Sequence, residues 1–207
     1  RRWVRVVALA LVSTVTATAA TAQVQNYVPV TDAMLQNPDP NDWLNWRRTL
    51  DAQAHSPLDQ ITADNVSDLR LVWSWALRAG PQQTTPLVHD GVLYIANPGE
   101  IIHAINAATG DLIWEYERGA EAPGNSFGGP PPGRMTRNIS IYEDKIFLNT
   151  ADAHVVAVDA ATGEEVWDAD IDQGVGYQFS SGSIVADGRV VSGLTGCGRY
   201  REESCYI

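Results

Sequence analysis

Short apolar runs separated by turn residues fill most of the chain, and their lengths predict strands rather than helices. The first set lies at 69–76, 87–88, 92–96, 101–105 and 112–116. A second follows at 139–142, 145–148, 154–158 and 165–167, and a third begins at Phe179 and continues at 183–186 and 189–191. Each set carries a turn between its first two short strands: His89-Asp90-Gly91, Glu143-Asp144 and Asp187-Gly188. The first two also carry Ala-Thr-Gly between their last two strands, so three beginnings of one unit are visible.

The unit is signed by a repeated nonapeptide. Asn106-Ala-Ala-Thr-Gly-Asp-Leu-Ile-Trp114 recurs as Asp159-Ala-Ala-Thr-Gly-Glu-Glu-Val-Trp167. Small alanines let strands approach, Gly110 and Gly163 can take a positive φ, and the tryptophan offers a flat surface to a neighbouring sheet. A single four-stranded sheet cannot bury both faces, so such units must stack in a ring, and the pattern predicts an all-β propeller. Three partial blades do not close a ring. Because Tyr206-Ile207 ends where the third unit's outer strands should run, the chain reads as a fragment: about two blades and the start of a third. Trp114 and Trp167 lie 53 positions apart, longer than the usual blade of about 40–50 residues. The excess is the Gly- and Pro-rich excursion at 119–136, which reads either as a functional connection or as a flexible insertion.

Three segments result: a secretory signal at 1–22, a lead-in at 23–68 that packs on or closes the propeller, and a partial propeller at 69–207. Arg1, Arg2 and Arg5 form a basic start, 6–12 an apolar stretch, and Ala20-Thr21-Ala22 a cleavage site. The apolar stretch falls short of the roughly 20 residues a membrane span needs, which predicts an exported, soluble mature protein without a transmembrane segment. The chain does not open on Met, so its start reads as incomplete. In the lead-in, 23–41 reads as irregular, with Pro29, Pro38 and Pro40. Asp42-Trp43-Leu44-Asn45-Trp46 is expected to pack, with Trp43 and Trp46 sealing the ring where its ends meet. Residues 62–66 suggest a helical turn capped by Thr62 or Asp64.

Composition narrows the chemistry. The formal charge is −11, and removing the three signal arginines takes it to −14. That argues against nucleic acid or anionic lipid and fits a basic soluble partner. Export favours a disulfide between Cys197 and Cys205, with two buried thiols as the other reading. His55, His89, His103 and His154 lack metal-ligand spacing and read as surface or strand-edge residues, and the tryptophans read mostly as core or docking residues. Ser126, Ser180 and Ser181 have no nucleophile-elbow context, and 124–133 is too broken by proline for a phosphate loop.

The pattern Ala-x-(Asn/Asp)-Ala-x-Thr-Gly-x-x-x-Trp, satisfied from Ala104 and from Ala157, resembles the tryptophan-docking motif of the quinoprotein alcohol dehydrogenases. These are eight-bladed propellers that carry pyrroloquinoline quinone (PQQ). Residues 56–61, Asn65-Val66, Leu71-Val72-Trp73, Thr85-Pro86-Leu87-Val88 and 90–94 are similar to that family's opening segment and first blade. The likeness runs from about Asp42 to Ile207.

The resemblance implies a periplasmic enzyme that oxidises an alcohol with PQQ and Ca²⁺ and passes electrons to a cytochrome c. The family's quinone-contacting glutamate falls on Gln83, and its adjacent cysteine pair falls on Pro131-Pro132, so that disulfide is absent. Its following arginine matches Arg137, whose planar guanidinium suits quinone carboxylates or ortho-quinone oxygens. A hydroxyl position matches Ser180, and the family's Ser-Gly-Ala-Glu corresponds to Thr195-Gly196-Cys197-Gly198, without the metal-binding glutamate. Glu202 or Glu203 in the following loop could supply an oxygen ligand for Ca²⁺, or the pair is an exposed acidic loop. The family's catalytic aspartate matches nothing in these residues. A noncatalytic propeller acting as a protein-binding scaffold, as in outer-membrane assembly, is the alternative; Gln83, Pro131-Pro132 and Gly198 count towards it.

Overall fold

A computed structural model of the chain describes residues 23–118, 137–171 and 177–195. The expected signal and the excursion lie outside the described residues.

Two four-stranded antiparallel sheets carry the fold. The first runs β1 (Leu87–His89), β2 (Val92–Asn97), β3 (Ile101–Asn106) and β4 (Leu112–Glu117), paired in that order. The second repeats it with β5 (Ser140–Tyr142), β6 (Lys145–Asn149), β7 (His154–Asp159) and β8 (Glu165–Asp170). Beyond them β10 (Ile184–Ala186) and β11 (Arg189–Val191) form a hairpin, and β9 (Gln178–Phe179) pairs with β12 (Leu194–Thr195). Asp90-Gly91 and Asp187-Gly188 both hold positive φ, the requirement of a type I′ two-residue hairpin turn. The strands predicted from Leu87 onward therefore form where their apolar runs lie.

The repeated nonapeptide builds the joint between sheets. Asn106 Oδ1 accepts from the amides of Ala108 and Thr109, and Asp159 Oδ1 accepts from those of Ala161 and Thr162, closing equivalent turns. Each turn receives an indole from an earlier segment of the chain. Trp73 Nε1 donates to the Ala107 carbonyl at 3.0 Å, and Trp114 Nε1 to the Ala160 carbonyl at 3.1 Å. A Cβ on Gly110 or Gly163 would sit 2.7 Å from the ring of Trp73 or Trp114 respectively. Trp114 is 5% exposed because the second sheet covers β4, whereas Trp167, its counterpart on β8, is 38% exposed. Among the described tryptophans only Trp114 is buried, and Trp73 and Trp114 are the two that dock on glycine turns.

The 69–76 segment is not a strand. Leu71 and Val72 are 85% and 80% exposed, since no strand among the described residues lies beside them to complete a ladder. Trp73 anchors the segment to the first sheet all the same.

The lead-in is more ordered than its prolines suggest. Thr31 caps a short helix, α1 (Asp32–Gln36), by accepting from Met34 N. Val30 bridges Glu143 and Trp43 bridges Val88, with Val30, Leu35 and Leu44 buried, so the lead-in packs on both sheets. Neither Thr62 nor Asp64 caps the next helical turn, Val66–Asp68. Its N-cap is Asn65, whose side chain closes a local loop by accepting from Thr62 N and donating to the Gln60 carbonyl.

Two histidines are buried rather than at the surface. His89 Nδ1 meets Asp42 Oδ2 at 3.0 Å and Nε2 meets the Val28 carbonyl at 2.7 Å, tying the lead-in to β1. His103 packs between Asn97 and Glu115. His154 is half-buried against Asp168 at 2.6 Å, and His55 alone is exposed as the sequence suggests.

Charge also crosses the joint between the sheets. The Arg118 side chain, 6% exposed, reaches Asp152 and Asp168 at 2.9 Å and Glu100 at 3.3 Å. Burial alone would push the Asp152 carboxyl up, but the Thr150 hydroxyl and the Arg118 guanidinium outweigh it and hold the group below its ordinary range. A depressed carboxyl contributes stability above its unfolded value, near about 3.9, and loses it as pH falls through the folded value.

Two outcomes are expected in the full-length protein. Gly163→Ala combines a positive φ with a collision on Trp114 and should cost about 2–4 kcal/mol, read as a lowered melting temperature by calorimetry. The melting-temperature gap between wild type and Asp152→Asn should be widest near neutral pH and close below about pH 4. A gap that widened on acidification would contradict this account of Asp152.

Candidate functional site

The residues just before the first strand of each unit converge. Gln83 precedes β1, Arg137 precedes β5, and Ser180 to Ser183 precede β10; together they line one cavity of about 490 Å³. Their meeting follows from the repeat, because stacked sheets place equivalent loops side by side. The Arg137 guanidinium donates to Gln83 Oε1, joining the first two units through side chains. Asn138 Oδ1 accepts from Thr85 N at 2.9 Å and fixes the two loops beneath that contact.

The third loop is held equally closely. Ser140 Oγ and Ser183 Oγ are 2.7 Å apart and buried, and Asn149 Nδ2 donates to the Ser181 carbonyl at 3.1 Å. Gly182 admits this approach: a Cβ there would lie 2.2 Å from the Asn138 carbonyl oxygen. The remaining wall comes from the lead-in, with Leu44, Asn45 and Trp46.

Arg137 is the only formally charged residue among the described lining residues; the other polar ones are serines and side-chain amides, and Leu44, Trp46, Ile139 and Ile184 are apolar. Such a lining can hold a ligand that carries carboxylates or carbonyl oxygens, through charge-assisted and neutral hydrogen bonds. No His, Cys, Asp or Glu lines it among the described residues, so these groups bind and orient rather than abstract protons.

Of the sequence-predicted residues, Gln83, Arg137 and Ser180 are brought together. Thr195 lies on β12, where its hydroxyl donates to the Gln178 carbonyl at 3.0 Å, and does not line the cavity. Pro131, Pro132, Gly196, Cys197, Glu202, Glu203 and Cys205 lie outside the described residues. Sequence reasoning missed Asn138, Ser140, Ser183 and Gly182, whose roles arise only from contact between loops. Trp46, expected with Trp43 to seal the ring where its ends meet, stands at the cavity wall, 52% exposed.

Residues 43–166, more than half of the chain, match the family model described as the glucose/ethanol/alcohol dehydrogenase β-propeller domain. The dehydrogenase subunit of a quinone alcohol dehydrogenase from Acetobacter aceti is 36% identical over 165 residues, 76% of this chain and 22% of that protein. A quinoprotein alcohol dehydrogenase of Pseudomonas putida is 31% identical over 95% of this chain and 32% of its own length. Among solved structures, the quinohemoprotein alcohol dehydrogenase ADHIIG from Pseudomonas putida HK5 has a TM-score of 0.72 at 31% identity, over 81% of this chain and 25% of that one. The chain thus spans about a fifth to a third of the length of these relatives. With a family match across both sheets, it belongs to the PQQ-dependent alcohol dehydrogenase family and carries β-propeller sequence of that family.

Proposed function

We propose that this chain supplies cofactor-holding loops of a periplasmic PQQ-dependent dehydrogenase that oxidises an alcohol and delivers electrons to a cytochrome c. The observation that carries the reading is the convergence of Gln83, Arg137 and Ser180, from three successive units, on one cavity. A ring of eight blades, as the resemblance implies, would surround this cavity and add the groups needed for proton removal. The quinone alcohol dehydrogenases among the relatives support the alcohol class, and one relative, of Thauera butanivorans, is named 1-butanol dehydrogenase (cytochrome c).

The donor set fits the cofactor. PQQ, when bound, supplies a two-electron quinone acceptor, and the protein's part is binding, orientation and electrostatics. Arg137 holds carboxylate or ortho-quinone oxygens in its planar fork. Gln83 orients that guanidinium without neutralising it, so the full positive charge is left for the ligand. The Ser180 hydroxyl adds a neutral donor. Pro131 and Pro132 offer apolar ring faces to cover a planar group, and Thr195 with the Gly196-Cys197 backbone completes the cofactor set. Glu202 and Glu203 are the proposed Ca²⁺ ligands, on a loop closed by Cys197 and Cys205.

A scaffold propeller without cofactor is the competing reading. The two separate on titration of the full-length protein with PQQ and Ca²⁺, followed by quinone absorbance. Stoichiometric binding is expected, and Arg137→Ala should weaken it by about 10- to 100-fold, the worth of a charge-assisted hydrogen bond. Absence of any quinone uptake by wild type would end the dehydrogenase reading.

A further inference from the structure

Trp46 combines a rigid mounting with an exposed apolar surface. Its backbone neighbours are pinned: Trp43 pairs with Val88 on β1 and Leu44 is 1% exposed. Asn45 Nδ2 donates to the carbonyls of Leu35 and Arg48, and Arg48 Nη2 in turn donates to those of Pro38 and Asp39. Arg47 lies with its guanidinium carbon 4.4 Å from the Trp46 ring centroid, covering one face of the indole. Trp46 lines the cavity and Arg47 does not. The indole and Leu44, with Ile139 and Ile184 from the loops, supply the apolar part of the lining, while Gln83, Arg137, Asn138 and Ser180 supply polar groups.

A ligand that fills this cavity meets two different chemistries. Carboxylate and quinone oxygens are served by the polar groups, whereas a planar ring or a hydrocarbon chain gains from the indole. The hydrocarbon part of an alcohol gains from apolar contact, and the gain grows with each methylene. We infer that Trp46 is a specificity-determining residue: its indole contacts the carbon chain of the alcohol and favours longer primary alcohols over short ones. This rests on the dehydrogenase reading proposed above.

The test uses the full-length holoenzyme. In Trp46→Ala the ratio of kcat/KM for 1-butanol to that for ethanol should fall about tenfold, as expected for lost apolar contact with the extra methylenes. Trp46→Phe should recover most of that ratio. The PQQ titration and the melting temperature of both variants should match wild type. An unchanged alcohol ratio overturns the assignment, whether or not the melting temperature drops, and a drop would show that the indole is instead packed beneath another part of the protein. A loss of PQQ affinity equal to the loss in activity also overturns it, by placing the indole against the cofactor. Failure of wild type to take up PQQ would remove the underlying reading itself, a distinct result from a holoenzyme whose alcohol ratio ignores Trp46.

Discussion

The contact between an indole and a glycine turn is the interaction on which the rest of this structure depends. Trp114 reaches from β4 to the turn at Gly163, covering a position where any Cβ would collide with it, and donates its Nε1 hydrogen to the Ala160 carbonyl. Trp73 does the same to the turn at Gly110 through Ala107. The Trp114 contact spans the two sheets, so it sets the distance and rotation from one to the next. Hydrophobic burial alone would allow the sheets to slide; a directed hydrogen bond together with a steric stop does not.

The site is a consequence of that spacing. Once the sheets are locked, the loops that precede β1, β5 and β10 have little freedom to lie apart. The contacts among Gln83, Arg137, Asn138, Thr85, Ser140 and Ser183 join neighbouring units just as the Trp114 indole does, but with polar groups facing a cavity. The Arg118 cluster performs a related task through ion pairs that bring Glu100, Asp152 and Asp168 of both sheets onto one guanidinium. The cavity is therefore held from several directions while its lining keeps a single formal charge among the described residues.

Gln83 gives this member of the family a particular character. A carboxylate at that position would pair with Arg137 and cancel its charge, whereas an amide aligns the guanidinium and leaves the charge intact. The lead-in adds a second distinction by bringing Trp46 to the cavity on a frame secured by Trp43, Asn45 and Arg48. The cavity lining is thus carried by loops and lead-in, while the repeated strands hold them in place.

Much of the architecture was legible in the residues alone. Alternating apolar runs, the Asp-Gly turns and the doubled Ala-Ala-Thr-Gly-x-x-x-Trp element marked the strands and the unit, because strand period and turn chemistry are local properties. Gln83, Arg137 and Ser180 were recognisable as site candidates through family likeness. Only the tertiary structure decided that 69–76 has no strand beside it among the described residues, since a strand exists only beside another strand. It also decided that His89 and His103 are buried, since their partners Asp42, Val28 and Glu115 are brought to them by folding. The same holds for Gly182, Asn138 and Trp46, whose neighbours lie tens of residues away along the chain. What depends on a residue and its near neighbours was determined by the sequence itself; what depends on two distant segments meeting was determined by packing.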